Sequence, residues 1–382
     1  MSSPSPELEL FRDNVKRFFT EEVEPHYERW EKDGRVPPEL YLKMGEHGLL
    51  CVDQPEEYGG MGAPFEFSVA VLEEASRMGF MALASNLSVH SDIAAPYILH
   101  LGSETQKRNY LPRMARGECI GAIGMTEPGA GSDLQSIKTS ALPDGDGHYR
   151  ISGSKTFITN GQNAGVVILA TKTDPKLGAR GTTLFTLETS LPGFSRGRNL
   201  DKVGQYAADT SELFFDDVRV PADEILGKPG GGFGHLVDEL PRERLVLGAM
   251  AVAHAQGALE RTLEYVTQRK AFGAAIASFQ NTRFELAKIK TEIEVHRAFV
   301  EKCARLYAEK QLDVATAAMV KLSTSEMEGR VTDACLQLFG GYGYMSEYPI
   351  SRYWTDARIQ RIYGGTSEIM KEVIGRSLVG RG

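Results

Sequence analysis

The chain has 382 residues, 25% of them charged and 42% hydrophobic, which is an ordinary composition for two or three folded domains. Its 43 basic and 51 acidic residues give a net charge of −8, which argues against a nucleic-acid-binding protein. The sequence has no run of about 18 apolar residues and no basic start followed by an apolar core, so we expect neither a membrane segment nor a secretory signal.

The first part of the chain, residues 1–120, is predicted to be helical. Ser5 is placed to cap a helix that begins at Pro6, where a missing N–H group has no cost. Apolar residues then recur at helical spacing: Leu8, Phe11, Val15 and Phe18. Similar spacing predicts helices over 65–78 and 104–114.

The pattern changes in residues 121–236, where short stretches rich in β-branched and aromatic residues alternate with glycine-containing turns. The predicted strands are residues 148–152, 166–171, 182–187 and 213–215. Because no helical segment separates them, we expect an antiparallel barrel or sandwich.

Helical spacing returns in residues 237–382. One stripe is typical of a helical bundle and comprises Leu286, Ile289, Ile293, His296, Val300, Cys303 and Tyr307. The predicted fold class is therefore α+β: an N-terminal helical domain (1–120), a middle antiparallel β domain (121–236) and a C-terminal helical bundle (237–382).

Several kinds of site are not indicated by the sequence. The histidines and the four cysteines lack metal-ligand or disulfide spacing, so we expect no metal and a reducing, cytoplasmic environment. His296 is interpreted as a satisfied core histidine. No Gly-x-Ser-x-Gly elbow, Gly-x-x-x-x-Gly-Lys loop or Gly-x-Gly-x-x-Gly turn is present.

Two segments around the predicted β domain could bind a flat polar cofactor. Met125-Thr-Glu-Pro-Gly-Ala-Gly-Ser-Asp133 offers backbone N–H groups, hydroxyls and acids on a flexible chain. Lys155-Thr-Phe-Ile-Thr-Asn-Gly161 places Phe157 and Thr159 on one strand face, an aromatic ring beside a hydroxyl. A long turn and an ordinary strand before a turn are the alternatives.

Two further segments carry glycine pairs near helix ends. They are Gln337-Leu-Phe-Gly-Gly-Tyr-Gly343 and Arg361-Ile-Tyr-Gly-Gly-Thr-Ser-Glu368. Free N–H groups at helix ends suit a pyrophosphate, although helix termination alone would also explain the glycines.

Together these segments resemble the acyl-CoA dehydrogenase family over essentially the whole chain. Residues 124–136 and 337–356 match its two signatures, and 155–161 and 269–273 also fit. The resemblance implies noncovalently bound FAD, an acyl-CoA substrate, an electron-transfer flavoprotein as electron acceptor, and a homotetramer assembled through the C-terminal helices.

The resemblance also assigns residues. Met125, Thr126, Ser132, Phe157 and Thr159 would surround the flavin ring. The pyrophosphate and adenosine would be held, partly from a neighbouring subunit, by Arg269, Gln280, Gln337, Gly341, Thr366 and Glu368. The substrate would contact Ser132, Arg244 and Gly365. Ala271 and Ala274 stand where many relatives have a polar side chain.

The catalytic base is not at the family's usual position. Most members carry a glutamate in the loop Ile-Tyr-Glu-Gly-Thr, where this chain has Gly364. The long-chain and isovaleryl types instead carry it on a helix in a Glu-Arg-Leu context, which Glu243 matches. Gly364 would then supply a backbone N–H that, with a flavin ribityl hydroxyl, polarises the thioester carbonyl. Alternatively, Pro241 begins the helix, and Glu243 is only a charge favoured in the first turn.

The resemblance therefore implies FAD-dependent dehydrogenation of an acyl-CoA thioester to the trans-2-enoyl-CoA, with Glu243 removing the α-proton and the β-hydrogen leaving as hydride to flavin N5. Two alternatives stay open. The first is a catalytically silent FAD-binding assembly or scaffold protein, raised by the missing loop glutamate. The second is a flavin oxidase or monooxygenase on the same fold.

Overall fold

The computed structural model describes residues 5–380. Residues 1–4 and 381–382 lie outside the described residues, and with them part of the N-terminal stretch considered for a secretory signal. None of the helices between residues 5 and 380 combines the length and apolar character of a membrane span. In the same range no group of three or more histidine, cysteine or acidic side chains is arranged to hold a metal ion.

The N-terminal part is helical, as predicted. Its α-helices are α1 (Pro6–Glu22), α2 (Tyr27–Asp33), α3 (Pro38–Glu46), α4 (Phe65–Arg77), α5 (Met81–Leu87), α6 (Ala95–Leu101) and α7 (Glu104–Ala115). A π-helix, Ser88–Ala94, joins α5 to α6. The predicted cap is confirmed, because the Ser5 hydroxyl accepts a 3.2 Å hydrogen bond from the Leu8 N–H, a contact worth about 1 kcal/mol.

The middle part is one sheet. Its strands are β1 (Gly121–Gly124), β2 (Ser140–Pro143), β3 (His148–Thr159), β4 (Val166–Lys172), β5 (Thr182–Glu188), β6 (Phe194–Asn199), β7 (Thr210–Pro221) and β8 (Ile225–Leu226). They run in the order β6-β7-β3-β2-β4-β5-β8, with β1 beside β4. The pairings are antiparallel, as predicted, except that β4 pairs in parallel with β1 and β2. The sequence analysis predicted β3, β4, β5 and β7 but did not detect β2, β6, β8 or β1, the last of which is short and half glycine.

The C-terminal part is a bundle of helices. It contains α8 (Gly232–Gln268), a hairpin of β9 (Lys270–Ala271) and β10 (Ala274–Ala275), α9 (Gln280–Ala308), α10 (Val314–Phe339), α11 (Pro349–Ala357) and α12 (Ser367–Val379). Helix α8 packs against α4, α9 and α10 and so connects the bundle to the N-terminal helices. Its start at Gly232 places the expected boundary between residues 236 and 237 inside the helix.

The core reflects the predicted helical stripes. On α9, Ile289, Ile293, Val300 and Cys303 are buried. His296 is half-buried, and its Nδ1 atom lies 2.7 Å from the carbonyl oxygen of Glu292, so its polar atom is satisfied within its own helix. The helical cores of both ends of the chain form one continuous cluster, which fixes α6, α8 and α10 relative to one another.

Candidate active site

Glu243 lies on α8 and is almost completely buried, with 5% of its surface exposed. The hydroxyl of Tyr97, on α6, donates a 3.1 Å hydrogen bond to its Oε1 atom. Because α8 begins at Gly232, Pro241 lies inside the helix and Glu243 lies about three turns from the N-terminus. A helix dipole acts over the first turn only, so the interpretation of Glu243 as a first-turn charge is wrong.

The surroundings of Glu243 set its protonation. Burial raises the pKa of its carboxyl group to about 7. The hydrogen bond from Tyr97 and the charge of Arg244 lower this pKa, and the charge of Glu239 raises it. A carboxylate with a pKa near neutrality suits proton abstraction, because it is partly ionised at rest and holds the proton that it takes up.

The preceding residue, Arg242, anchors this part of α8 to the N-terminal helices. Its Nη1 atom lies 2.7 Å from Asp53, and its Nη2 atom lies 2.8 Å from Asp92 in the π-helix. The guanidinium also lies over the ring of Phe65, 4.8 Å from its centre. Burial raises the pKa of Asp92 to about 6. Arg242 therefore has a structural role, and its ion pairs fix the position of Glu243 relative to the N-terminal helices.

The loop between α11 and α12 carries Gly364 and Gly365, with φ angles of 62° and 98°. These left-handed conformations are accessible to glycine without strain. Among the described residues, no protein atom accepts a hydrogen bond from the N–H group of either glycine. Both residues are half-buried, so these two donors are available to an oxygen atom of a ligand.

Leu247 links this loop to the part of α8 that carries Glu243. A Cβ atom at Gly364 would lie 2.4 Å from the Cδ1 atom of Leu247. Leu247 follows Glu243 by four residues on α8, and residues four apart share a helix face. Position 364 and Glu243 therefore border the same space, and Leu247 occupies the place where a side chain at position 364 would begin.

Two buried cations lie near this space. Lys321, on α10, is 1% exposed, and its Nζ atom donates a 2.6 Å hydrogen bond to the carbonyl oxygen of Gly365. Burial lowers the pKa of Lys321 to about 8. Arg244 is 3% exposed, and among the described residues its Nε and Nη1 atoms have no hydrogen-bond partner. Buried N–H groups are almost always bound, so Arg244 is suited to water or a polar ligand group.

Residues 125–133, the first predicted cofactor segment, are held on β3 by a buried ion pair. The Nζ atom of Lys155 lies 2.8 Å from Glu127 Oε1 and donates a 3.0 Å hydrogen bond to the carbonyl oxygen of Met125. Burial lowers the pKa of Lys155 to about 8. Glu127 thus fixes the segment instead of facing a ligand. Ser132 is exposed on its outer side.

Phe157 and Thr159 lie at the end of β3 beside this segment. Ile158 between them is buried, whereas Phe157 is exposed and Thr159 is half-buried. The strand is not regular, however: its register with β7 shifts between Lys155 and Ile158, and Phe157 has a φ of 59°. Phe157 is 67% exposed. A bulky residue held exposed in a strained bulge is typical of a functional position.

These features fit a flat cofactor ring. The exposed face of Phe157 can stack on an aromatic heterocycle, and the backbone of Thr126 is tied to β3 by a 2.9 Å hydrogen bond from the Thr156 N–H. No atom lies within 4 Å of a Cβ built at Gly129 or Gly131, so the glycine segment has open space on its outer side.

The remaining predicted cofactor residues fall into two separate groups. Near the junction of α8, α9 and α10, the Arg269 guanidinium lies 5.2 Å from the ring centre of Tyr342. This first group comprises Arg269, Gln280, Gln337 and Gly341, all exposed. Thr366 and Glu368 form the second group, in the first turn of α12, where the Thr366 hydroxyl accepts a 3.3 Å hydrogen bond from the Ile369 N–H. Within one chain the two groups do not meet.

Three features of the site were missed from the sequence. The Tyr97 hydrogen bond joins residues 146 positions apart, and no motif surrounds Tyr97. The Lys321 contact spans 44 positions, although a lysine in the apolar stretch at the start of α10 is a signal that could have been noticed. Glu127 and Lys155 were each within an analysed segment, but the sequence alone does not indicate that they pair.

Comparisons with known proteins agree with the fold. Family models for the acyl-CoA dehydrogenase N-terminal, middle and C-terminal domains match residues 5–118, 122–218 and 230–379. The mitochondrial long-chain specific acyl-CoA dehydrogenase of Sus scrofa is 47% identical over 98% of this chain and 87% of its own length. A crystal structure of an acyl-CoA dehydrogenase from Geobacillus kaustophilus superposes with a TM-score of 0.96 at 44% identity, covering 99% of both chains. A chain from a structure of the electron transferring flavoprotein of Acidaminococcus fermentans reaches 0.96 at 36% identity, covering 100% of both.

Proposed function

The chain belongs to the acyl-CoA dehydrogenase family, and from this premise we propose that Glu243 is the base that removes the α-proton of its substrate. The enzyme is an FAD-dependent oxidoreductase that dehydrogenates acyl-CoA thioesters to trans-2-enoyl-CoA. Bound FAD would supply the acceptor for the β-hydrogen as hydride, and the residues of the protein would carry out proton transfer and carbonyl activation.

The observation that carries the proposal is the buried carboxylate of Glu243 beside the glycine loop. Gly364 has no side chain that could act as a base, and Leu247 fills the place where one would begin. Glu243 borders the same space from the helix side, with a pKa of about 7. Its Oε2 atom has no protein hydrogen bond in the described part of the chain, so it is the oxygen we assign to the proton.

Charge that develops on the thioester carbonyl during proton removal needs stabilisation. We assign this role to the free N–H groups of the glycine loop, Gly364 first, with Gly365 beside it. The Lys321 ammonium binds the Gly365 carbonyl and so holds these donors in place. Among the described residues two nitrogen atoms of Arg244 have no hydrogen-bond partner, and we assign Arg244 to substrate binding, together with Ser132.

The flavin ring would be held at the end of β3. Phe157 would stack on it, Thr159 would donate or accept a hydrogen bond, and the backbone of Met125 and Thr126 would line its edge. This assignment is supported by the exposed face of Phe157 and by the open side of the glycine segment.

The adenosine and pyrophosphate residues support an oligomer. Lys321, near the Thr366 group, and Gln337 lie sixteen residues apart on α10, which separates the two groups by about 24 Å. Phe272, in the β9–β10 hairpin, is 99% exposed, and Tyr344 is 79% exposed. We propose that a second copy of the chain completes each cofactor site, within a homotetramer.

Two further parts of the proposal concern partner and location. We propose an electron-transfer flavoprotein as the electron acceptor, supported by the structural neighbour from Acidaminococcus fermentans. A cytoplasmic location is supported by the cysteines Cys51, Cys119, Cys303 and Cys335, which are free and buried, as is usual in reducing compartments.

The test of the base is Glu243→Gln. We expect this variant to retain FAD and bind acyl-CoA but to reduce the flavin at least about a hundredfold more slowly, measured by anaerobic bleaching of the flavin band. Glu260→Gln is the matched control, because Glu260 is also on α8 and pairs with Arg77 far from the site. Normal bleaching by Glu243→Gln would refute the assignment. A wild-type flavin that no acyl-CoA bleaches would instead support a silent scaffold.

The substrate is proposed to be a fatty acyl-CoA, with the relative from Sus scrofa favouring long chains. Anaerobic bleaching by a series of straight and branched acyl-CoAs from four to eighteen carbons tests this. A preference for short or branched thioesters would contradict the long-chain assignment without affecting the base.

A further inference from the structure

A second acid–base pair lies one helical turn from Glu243. Glu239 precedes Glu243 by four residues on α8, and His100 follows Tyr97 by three on α6. The Nδ1 atom of His100 lies 2.7 Å from Glu239 Oε1. The two helices are thus joined by two parallel contacts, Tyr97 with Glu243 and His100 with Glu239.

Exposure increases along this series of groups. Glu243 is 5% exposed, whereas the side chains of Glu239 and His100 are 12% and 45% exposed. Side chains four residues apart on a helix are neighbours, about 5–6 Å between Cβ atoms. The hydroxyl of Tyr97 donates a hydrogen bond to Glu243, and the negative charges of Glu243 and Glu239 both raise the pKa of this hydroxyl.

The reaction creates a need for such a path. Each turnover would leave the α-proton on Glu243, which is almost completely buried, and a bound thioester would cover the part that remains exposed. The proton must reach bulk water before Glu243 can act again.

We propose that Glu239 and His100 form a relay that returns this proton to solvent, an inference that rests on the proposed function of Glu243 as base. The O–H bond on Glu243 breaks as the proton moves to the Glu239 carboxylate, through the Tyr97 hydroxyl or directly. His100 accepts the proton at Nδ1 and releases the hydrogen of Nε2 to water, and exchange of the exposed ring with water then returns the hydrogen to Nε2. Both carboxylates return to their starting charge.

Other charged groups near the relay do not offer the same route. Asp238, also on α8, is exposed, and its charge also raises the pKa of Tyr97, but among the described residues it forms no hydrogen bond or ion pair through which a proton could pass on. Arg244 is a cation and stays protonated at neutral pH. On the neighbouring turn, Arg242 is bound to Asp53 and Asp92, so that side of the helix is closed by ion pairs.

The test measures proton release separately from chemistry. An acyl-CoA analogue with sulphur in place of the β-carbon has an acidic α-hydrogen but no β-hydride to lose. The holoenzyme is incubated with it in D2O at pH 9, where Glu243 is ionised, and α-deuterium incorporation is followed by NMR. Flavin bleaching by an ordinary acyl-CoA reports proton abstraction in a single turnover.

We expect His100→Gln and Glu239→Gln to slow deuterium incorporation by about a hundredfold while bleaching changes by less than about threefold. Imidazole in the buffer should restore exchange in His100→Ala, because a diffusible base can replace the missing ring. Glu260→Gln is the control and should behave as wild type in both assays.

The outcomes separate the two proposals. Wild-type exchange in both relay variants would overturn the relay, as would an equal loss of exchange and bleaching without rescue by imidazole, which would indicate a structural role. Glu243→Gln that still bleaches the flavin would overturn the base itself, whatever the relay variants do.

Discussion

Replacing Tyr97 with phenylalanine removes one hydroxyl from the site and leaves the ring in place. That hydroxyl donates the hydrogen bond to Glu243 Oε1, and it stabilises the ionised carboxylate. Tyr97 is about 1% exposed, so water has little access to replace it. We therefore expect Tyr97→Phe to raise the pKa of Glu243 above its value of about 7.

The size of the effect follows from the strength of the bond. A hydrogen bond to a charged group contributes about 1.5–3 kcal/mol, and 1.36 kcal/mol corresponds to one pH unit. At the lower end, the pKa of Glu243 rises by about one. The ionised fraction at pH 7 then falls from about one half to about one tenth, so flavin bleaching at pH 7 slows about fivefold. Above about pH 9 the two rates should converge.

The assay is stopped-flow anaerobic bleaching with one acyl-CoA from pH 5.5 to 9.5. Tyr110→Phe is the control, because Tyr110 donates a 3.1 Å hydrogen bond to Glu224 in the same chemical arrangement far from the site. The rate of the control variant should keep the wild-type pH dependence. An unchanged or acid-shifted profile for Tyr97→Phe would refute the reasoning, and so would an alkaline shift in Tyr110→Phe of equal size.

The same titration affects stability, with a definite sign. The folded-state pKa of Glu243, about 7, lies above its ordinary value of 4.5. Its contribution to stability is therefore fully present below about pH 4.5 and is lost as the pH rises through about 7. In Tyr97→Phe, the additional loss should extend to about pH 8, which thermal denaturation at a series of pH values can detect as a difference from wild type.

Three further changes have defined outcomes. In a variant that lacks Glu243, Gly364→Glu alone should not restore flavin bleaching. Gly364→Glu combined with Leu247→Ala should restore part of it, because the leucine methyl lies 2.4 Å from the new Cβ. Restoration without the leucine change would contradict this. Lys321→Met should slow bleaching about tenfold with thioester affinity less affected, whereas Lys321→Arg should retain more activity, since it keeps the charge that binds the loop carbonyl. Arg242→Met should destabilise the fold by about 3–5 kcal/mol, because it leaves Asp92 buried without its partner, and a melting temperature equal to wild type would refute this.

Much of the fold could be predicted from local patterns. Capping at Ser5 and the apolar stripe that follows it are properties of adjacent residues, and they gave the first helix correctly. Four strands of the sheet, β3, β4, β5 and β7, were predicted for the same reason. The parallel pairing of β1 with β4 was not predicted, because it joins residues 45 positions apart and leaves no local pattern.

The site was predictable where a residue type is unusual at its position. Gly364 stands where most members of the family have the glutamate base, so the base was expected elsewhere, and Glu243 matches the alternative position on a helix. The start of α8 was not predictable from Pro241, because proline is most frequent at the beginning of a helix but is tolerated inside a long, well-packed one. The contacts of Tyr97 and Lys321 depend on how three helices pack, which no local pattern specifies.

The leucine beside the glycine loop bears on how the acid could change position during evolution. A glutamate at position 364 would have to adopt a φ of 62°, which residues other than glycine adopt with strain. It would also have to displace the terminal methyl group of Leu247. A return of the acid from the helix to the loop is therefore easier when residue 247 is small.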